Sequence, residues 1–202
     1  MHFLRLLVVL FFLNICSLTV YANTESPDQI VKQTVDKVLR LLADENLNEA
    51  QKKNEVFELV KQRINFKEMS RRILAINWNK VSEEQKTKFI ALFEQTLLNT
   101  YWVRLKHYTG EQVEFVATSY DGDDYATVDT VILKNENDVE VPITYRMKRF
   151  VDVWYAYDFT VEHLSLVQSY RNEYRAIVKN FDIDGLLEYM QREINNFNSN
   201  KN

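Results

Sequence analysis

The chain changes its hydrophobic period twice. Between residues 26 and 108 apolar side chains recur every three or four positions, the spacing of one helix face. Between 113 and 161 they alternate with polar ones, as on a strand with one buried side, and beyond 166 the helical spacing returns.

The helical stretches carry their own start signals. Ser26-Pro27-Asp28-Gln29 reads as a capping box with proline preset for the first turn, and Ile30, Val31, Thr34, Val35, Val38, Leu41 and Leu42 follow on one face. A polar break at 46–48 precedes a second helix bearing Val56, Leu59, Val60, Arg63 and Ile64. Asn65 with Glu68 makes another capping pair ahead of Met69, Ile73 and Leu74. Ser82 with Gln85 opens the longest helix, whose row of Phe89, Leu92, Phe93, Leu97, Tyr101, Leu105 and Tyr108 is expected to stop at Gly110.

Four strands are predicted after that. Val113, Phe115 and Ala117 alternate with polar neighbours, and 125–133 is rich in strand formers. Val139, Val141, Ile143, Tyr145 and Met147 share a face opposite Glu140, Thr144, Arg146 and Lys148, and Tyr155, Tyr157, Phe159 and Val161 form the fourth run on the same logic. Asp121-Gly122-Asp123-Asp124 and Asn135-Glu136-Asn137-Asp138 read as polar turns of an antiparallel meander. Helices are expected over 166–180 and 184–196, with a fraying polar tail over 197–202. Helices, four strands, then helices make an α+β domain.

The N-terminus adds a different kind of segment. A weakly basic start at His2 and Arg5, an apolar run over 6–13 and the small-residue ending Val20-Tyr21-Ala22 read as a signal peptide over 1–22, cleaved after Ala22. The run is short for a membrane span and Asn14 interrupts it. Export with removal of the segment is the expectation. The only cysteine, Cys16, lies in that segment without the small residue that precedes a lipidated cysteine, so a chain from 23 onwards must be held together by its core alone. Residues 23–196 are ample for one domain. The formal charge of −4 becomes more negative when Arg5 leaves, which argues against binding to a phosphate backbone and sets nucleic acid aside as a partner.

Recognisable catalytic or metal chemistry is sparse. His107 and His163 are far apart and lack the short-spaced partners of a metal site. His163 could be grouped with Asp158 and Ser165 as a hydrolase triad, but no nucleophile elbow surrounds the serine and alternation puts Asp158 and His163 on opposite faces. Gly110, Gly122 and Gly185 stand singly at boundaries, so there is no phosphate-cradling loop. Asp121, Asp123 and Asp124 lack the glutamate that closes a calcium loop and read as a solvated hairpin tip. Neither a catalytic residue nor a metal nor a cofactor is assigned. Arg71, Arg72, Arg146, Lys148 and Arg149 are surface charges that could meet an anionic headgroup or an acidic partner. An apolar face looks the same over a filled core as over a cavity, and the residues alone leave that open.

The stretch Asp158-Phe159-Thr160-Val161-Glu162-His163-Leu164-Ser165-Leu166-Val167-Gln168-Ser169-Tyr170-Arg171-Asn172-Glu173-Tyr174, followed by Ile183-Asp184-Gly185-Leu186, resembles the MlaC or toluene-tolerance family of periplasmic phospholipid-binding proteins. Ile64-Asn65-Phe66, Ser82-Glu83-Glu84-Gln85 and Tyr108-Thr109-Gly110-Glu111 extend the likeness in the same order. The resemblance implies N- and C-terminal helices packed on one face of the four-stranded sheet, enclosing an apolar cavity for acyl chains. It implies a carrier, not an enzyme, with phospholipid as cargo.

Chosen by apolar face and matching segment, the expected lipid-binding residues are Phe66, Met69, Leu74, Phe93, Leu97, Tyr101, Val141, Ile143, Tyr145, Tyr157, Phe159, Leu166 and Tyr170. The implied partners are an inner-membrane ABC transporter with an MCE-domain subunit and an outer-membrane lipoprotein complex. The alternatives are a periplasmic adaptor that binds only proteins and a small-molecule enzyme on a cone-shaped α+β fold. Two departures from the family pattern stand out: His163 replaces the usual glycine before Ser-Leu, and Val151-Asp152-Val153-Trp154 replaces a glycine-rich turn.

Overall fold

The computed structural model describes residues 25–108, 110–134 and 139–199. The expected signal segment with its cleavage point, and the turn expected over 135–138, lie outside the described residues.

Four helices precede the sheet, and their caps follow the sequence. Helix α1 (Pro27–Ala43) starts where the Gln29 carboxamide accepts from the Ser26 N–H at 3.0 Å. Helix α2 (Glu49–Lys61) opens on a reciprocal pair between Asn48 and Gln51, each bond 3.0 Å. At the start of α3 (Phe66–Leu74) the Asn65 side chain accepts from the Glu68 N–H at 2.8 Å, but the Glu68 carboxylate turns away toward arginines. After a 3-10 turn over Ala75–Lys80, α4 (Glu83–Leu105) begins on the Ser82–Gln85 box. It ends five residues before Gly110, whose φ of 103° lies in the left-handed region beyond the helix.

The sheet has five antiparallel strands in sequential order: β1 (Gln112–Asp121), β2 (Tyr125–Lys134), β3 (Val139–Phe150), β4 (Val153–Val161) and β5 (Leu164–Ser165). The fifth corrects the expectation of four; it is a two-residue strand paired with Thr160 and Val161, too short to show alternation. The outer edge of β4 is further covered where Ile64 bridges Ala156, with the Asn65 N–H donating to the Ala156 carbonyl and the Ala156 N–H to that of Arg63, each at 2.9 Å. The two hairpins that flank β4 are built from two consecutive left-handed residues. These are Val151 (φ 45°) with Asp152 (φ 65°), and Glu162 (φ 49°) with His163 (φ 68°).

One bulge changes which side chains face inward. Arg146 pairs with Asp158 but Met147 pairs with Ala156, so Tyr157 is the extra residue. Beyond it Phe159 and Val161 lie opposite Tyr145 and Ile143, whereas Tyr155 lies opposite Lys148 on the other face. The face expected to unite Tyr155, Tyr157, Phe159 and Val161 is therefore split.

Helix α5 (Leu166–Ser199) is broken at Asp182 (φ 59°), whose Oδ1 accepts from the N–H groups of Asp184 (2.8 Å) and Gly185 (3.1 Å) and so caps the second half. This reproduces the two predicted helices, the second reaching Ser199. Buried side chains gather in three clusters. One joins α3, α4 and α5 through Phe66, Met69, Phe89, Phe93, Tyr174 and Leu186. Another packs α1 on the sheet through Ile30, Val31, Val128, Met147 and Trp154, and a third ties α1, α2 and α4 around Val38, Leu42, Val56 and Trp102.

Candidate functional site

Where these clusters meet, the interior is not filled. An apolar pocket of about 270 Å³ lies between α1, α2, the C-terminal half of α4 and the apolar face of the sheet. Helix α1 supplies Ile30, Val31, Thr34, Val35, Val38 and Leu39, and α2 supplies Val56, Phe57 and Val60. Strands β1 to β4 contribute Val113, Ile132, Ile143, Tyr145, Met147, Ala156, Phe159 and Val161. The bulge at Tyr157 is what brings Ala156 and Phe159, three apart in sequence, onto one wall.

Of the residues expected to bind lipid, Leu97, Tyr101, Ile143, Tyr145, Phe159 and Leu166 line this pocket. Phe66, Met69, Leu74 and Phe93 are buried in the α3–α4–α5 cluster instead, where Phe93 stacks on Phe89 at 6.1 Å and meets Tyr170 edge-on at 5.2 Å. Val141 is half-buried opposite Ile132, on the same side as Ile143, but is not part of the pocket lining. Tyr157 stands on the other face of the sheet, next to Tyr125 and with the Arg72 guanidinium 4.0 Å from its ring centre.

Half of the lining residues that sequence reasoning missed lie on α1 and α2. Their signal was present in the apolar stripe from Ile30 to Val38, but a stripe does not say whether the opposite wall is in contact or at a distance.

The pocket's polar atoms are mostly engaged. Thr34 Oγ1 donates to the Ile30 carbonyl at 2.7 Å. Burial pushes the Tyr145 phenol up to about 12, with its bond to Thr130 acting the other way. Burial also raises Tyr101, against the pull of the neighbouring Arg104. At neutral pH both tyrosines are therefore neutral hydroxyls.

The basic residues singled out in the sequence lie outside the pocket lining, and the carboxylates they meet belong to this chain. Glu68, nearly buried, takes bonds of 2.9 and 2.8 Å from Arg71 and 2.9 Å from Arg72, with Lys148 at 3.9 Å. Burial alone would raise its carboxyl; the Arg71 bond and the three cations outweigh that and hold it below its ordinary value. Arg146 stands 3.9 Å from Asp158, and Arg149 bonds Asp124 at 3.3 Å.

Asp158 and Ser165 do come together, the Ser165 hydroxyl donating to Asp158 Oδ2 at 2.7 Å. Their other bonds go to the start of α5: Asp158 Oδ1 accepts from the Val167 N–H at 3.0 Å and Ser165 Oγ from the Gln168 N–H at 3.1 Å. His163 sits in the preceding left-handed turn. Asp158 and Ser165 together build a helix cap.

Comparison with known proteins agrees with this architecture. No curated protein matches the chain. Among solved structures it is similar to the phospholipid-binding protein from Ralstonia solanacearum, determined in complex with a phospholipid. The two are 24% identical with a TM-score of 0.73, over 83% of this chain and 96% of that one. The family model described as MlaC protein matches residues 32–192, a span from the second turn of α1 to near the end of α5. The chain belongs to the MlaC family.

Proposed function

We propose that this protein is a periplasmic phospholipid carrier, moving lipid between the outer and inner membranes as the soluble part of an ABC-transporter-linked system. The observation that carries the reading is an apolar pocket, walled by three helices and a sheet, in a chain whose fold matches that of a protein solved with a phospholipid bound. A carrier needs no catalytic group; it needs a wall that imitates the bilayer. Each methylene kept from water is worth about 0.8 kcal/mol, so a lipid of ~30 methylenes faces a barrier of order 20 kcal/mol to cross an aqueous space unshielded. The wall must nearly match the bilayer in affinity, because a much weaker one would not extract lipid and a much stronger one would not release it.

At about 270 Å³ the pocket lies just below the range for ligand sites, about 300–1,000 Å³. Two full acyl chains therefore require the α1–α2 wall to move outward as cargo enters. The partners on this reading are the inner-membrane MCE-domain transporter complex and the outer-membrane lipoprotein complex, met transiently.

The test is mass spectrometry of organic extracts from the protein purified from a periplasm without detergent, against a purified periplasmic control. Stoichiometric phospholipid is the expected result. Repeated absence of lipid, with failure to take it from vesicles, would replace the carrier with an adaptor that binds only proteins.

A further inference from the structure

Among the described residues, one charged residue lines the apolar pocket: Arg63, two positions beyond the end of α2. Its place is fixed by the backbone. The Arg63 N–H donates to the Val60 carbonyl at 2.9 Å, and its own carbonyl accepts from the Ala156 N–H of β4 at 2.9 Å. The guanidinium is much less well satisfied. Its Nε is shut off from solvent with no hydrogen-bond partner among the described residues, and its ion-pair partner, Glu25, stands 3.9 Å from Nη1, beyond hydrogen-bond reach. The pocket's other polar side chains, Thr34, Tyr101 and Tyr145, bond to Ile30, Arg104 and Thr130 respectively.

A buried donor without a partner is costly unless something regularly completes it, and the rest of this side chain, 27% exposed overall, is within a ligand's reach. We infer that Arg63 is the anion-binding residue of this pocket, taking the phosphodiester of the phospholipid whose acyl chains lie along the apolar wall, in exchange for Glu25. The inference rests on the carrier reading and deepens it.

The chemistry favours this match. A guanidinium presents a planar fork of N–H donors that fits two phosphate oxygens at once, and such charge-assisted bonds are stronger than neutral ones. Glu25 immediately precedes the capped start of α1, so its carboxylate holds the place of an anion at the pocket margin and withdraws without unmaking a helix. One anion replaces another, and the guanidinium keeps a counter-charge through loading and release. Arg63 thus discriminates for an anionic oxygen group on an acyl carrier, which the apolar lining cannot do.

The experiment is competitive capture. Delipidated protein is incubated with vesicles of phosphatidylglycerol mixed with diacylglycerol of the same acyl chains, and the captured lipids are weighed by mass spectrometry. Wild type should prefer phosphatidylglycerol. Arg63→Met should lose phosphatidylglycerol capture about tenfold, the equivalent of about 1.4 kcal/mol, with diacylglycerol capture unchanged. Arg63→Lys, which keeps charge but not the fork, should fall between, and it carries the test if circular dichroism shows Arg63→Met unfolded. Glu25→Gln should raise phosphatidylglycerol capture by removing the competing carboxylate.

An unchanged preference in both arginine variants, or reduced capture in Glu25→Gln, would overturn the inference. So would loss of the Arg63-dependent preference on adding inorganic phosphate alone, which would mark a free-phosphate site. Wild type that captures neither lipid would instead sink the carrier reading itself.

Discussion

Helix α4 runs through two interiors of different kind. Its N-terminal half enters the cluster with α3 and α5, where Phe89 and Phe93 have no exposed surface and pack against Phe66, Tyr170 and Tyr174 at ring-centre distances of 5.2 to 6.5 Å. Its C-terminal half presents Leu97, Leu98, Tyr101 and Leu105 to the pocket. The apolar period is the same throughout. In the first half aromatic rings from three helices interlock and use up the space between them. In the second, much of the facing wall is the aliphatic and β-branched stripe of α1 and α2, Val31, Val35, Val38 and Val60, whose short side chains leave the gap open. An apolar stripe establishes burial; ring size and the reach of the opposite wall decide whether burial means contact or space.

The largest expected effect comes from truncation in the filled half. Phe93→Ala should cost about 3–5 kcal/mol in chemical denaturation, because it removes a ring and leaves a cavity that its neighbours cannot collapse into. Ile143→Ala on the pocket wall removes apolar surface where space already exists, so about 1–2 kcal/mol is expected. Equal costs would mean that the pocket wall is as closely packed as the cluster. Enlargement should reverse the roles. Leu186→Phe, at a fully buried site, should cost about 1–3 kcal/mol through overpacking. Val35→Phe on α1 should leave stability within about 0.5 kcal/mol while lowering the lipid recovered with the protein.

The contrast also marks how far the sequence could be read. Caps at Ser26, Asn65 and Ser82, the meander and the break near Asp182 were legible because each rests on local chemistry: a side chain reaching an orphan N–H, a period of two, a capping aspartate. The split between Phe93 and Leu97 was not legible, since both lie on one helical row and only the third dimension separates a ring stack from a gap. Tyr157 illustrates another limit. Parity along β4 puts it with Phe159, and the bulge that moves it to the face bearing Lys148 is set by pairing with β3, with no mark in the strand's own residues. Residues 164 and 165 pair as a strand too short to carry any pattern. Arg63 was read as one more position on α2; that it lines an apolar pocket follows only from the pairing of its backbone with Ala156.

Alkaline titration asks whether the pocket wall is as dry as the cluster. Burial pushes Tyr145 on the wall and Tyr170 beside the cluster both up to about 12, with bonds to Thr130 and Thr100 respectively acting the other way. In the unfolded chain both ionise near 10. Above pH 10 the unfolded state gives up these protons first, so stability that is fully present below that pH falls as pH rises from about 10 to 12, by about 1.4 kcal/mol per unit for each phenol. Tyr145→Phe and Tyr170→Phe should each flatten that decline to a similar extent. If only Tyr170→Phe does so, water reaches the pocket wall and the resemblance between the two interiors ends at their sequence period.

A small expected effect at an exposed turn serves as a control for both interiors. Val151, 95% exposed, holds φ at 45° and Asp152 follows at 65°, in the tight turn between β3 and β4. A β-branched side chain in the left-handed region is strained, whereas Asn-Gly adopts this two-residue turn readily. Relief of that strain, set against the greater entropy that glycine brings to the unfolded chain, should leave Val151→Asn with Asp152→Gly more stable by about 0.5–1 kcal/mol. Because the change touches neither the ring cluster nor the pocket lining, recovered lipid should stay at the wild-type level while the denaturation midpoint rises. If lipid content follows the midpoint instead, carrying capacity depends on how firmly the whole fold is held, and the shape of the α1–α2 wall is not what separates the pocket from the core.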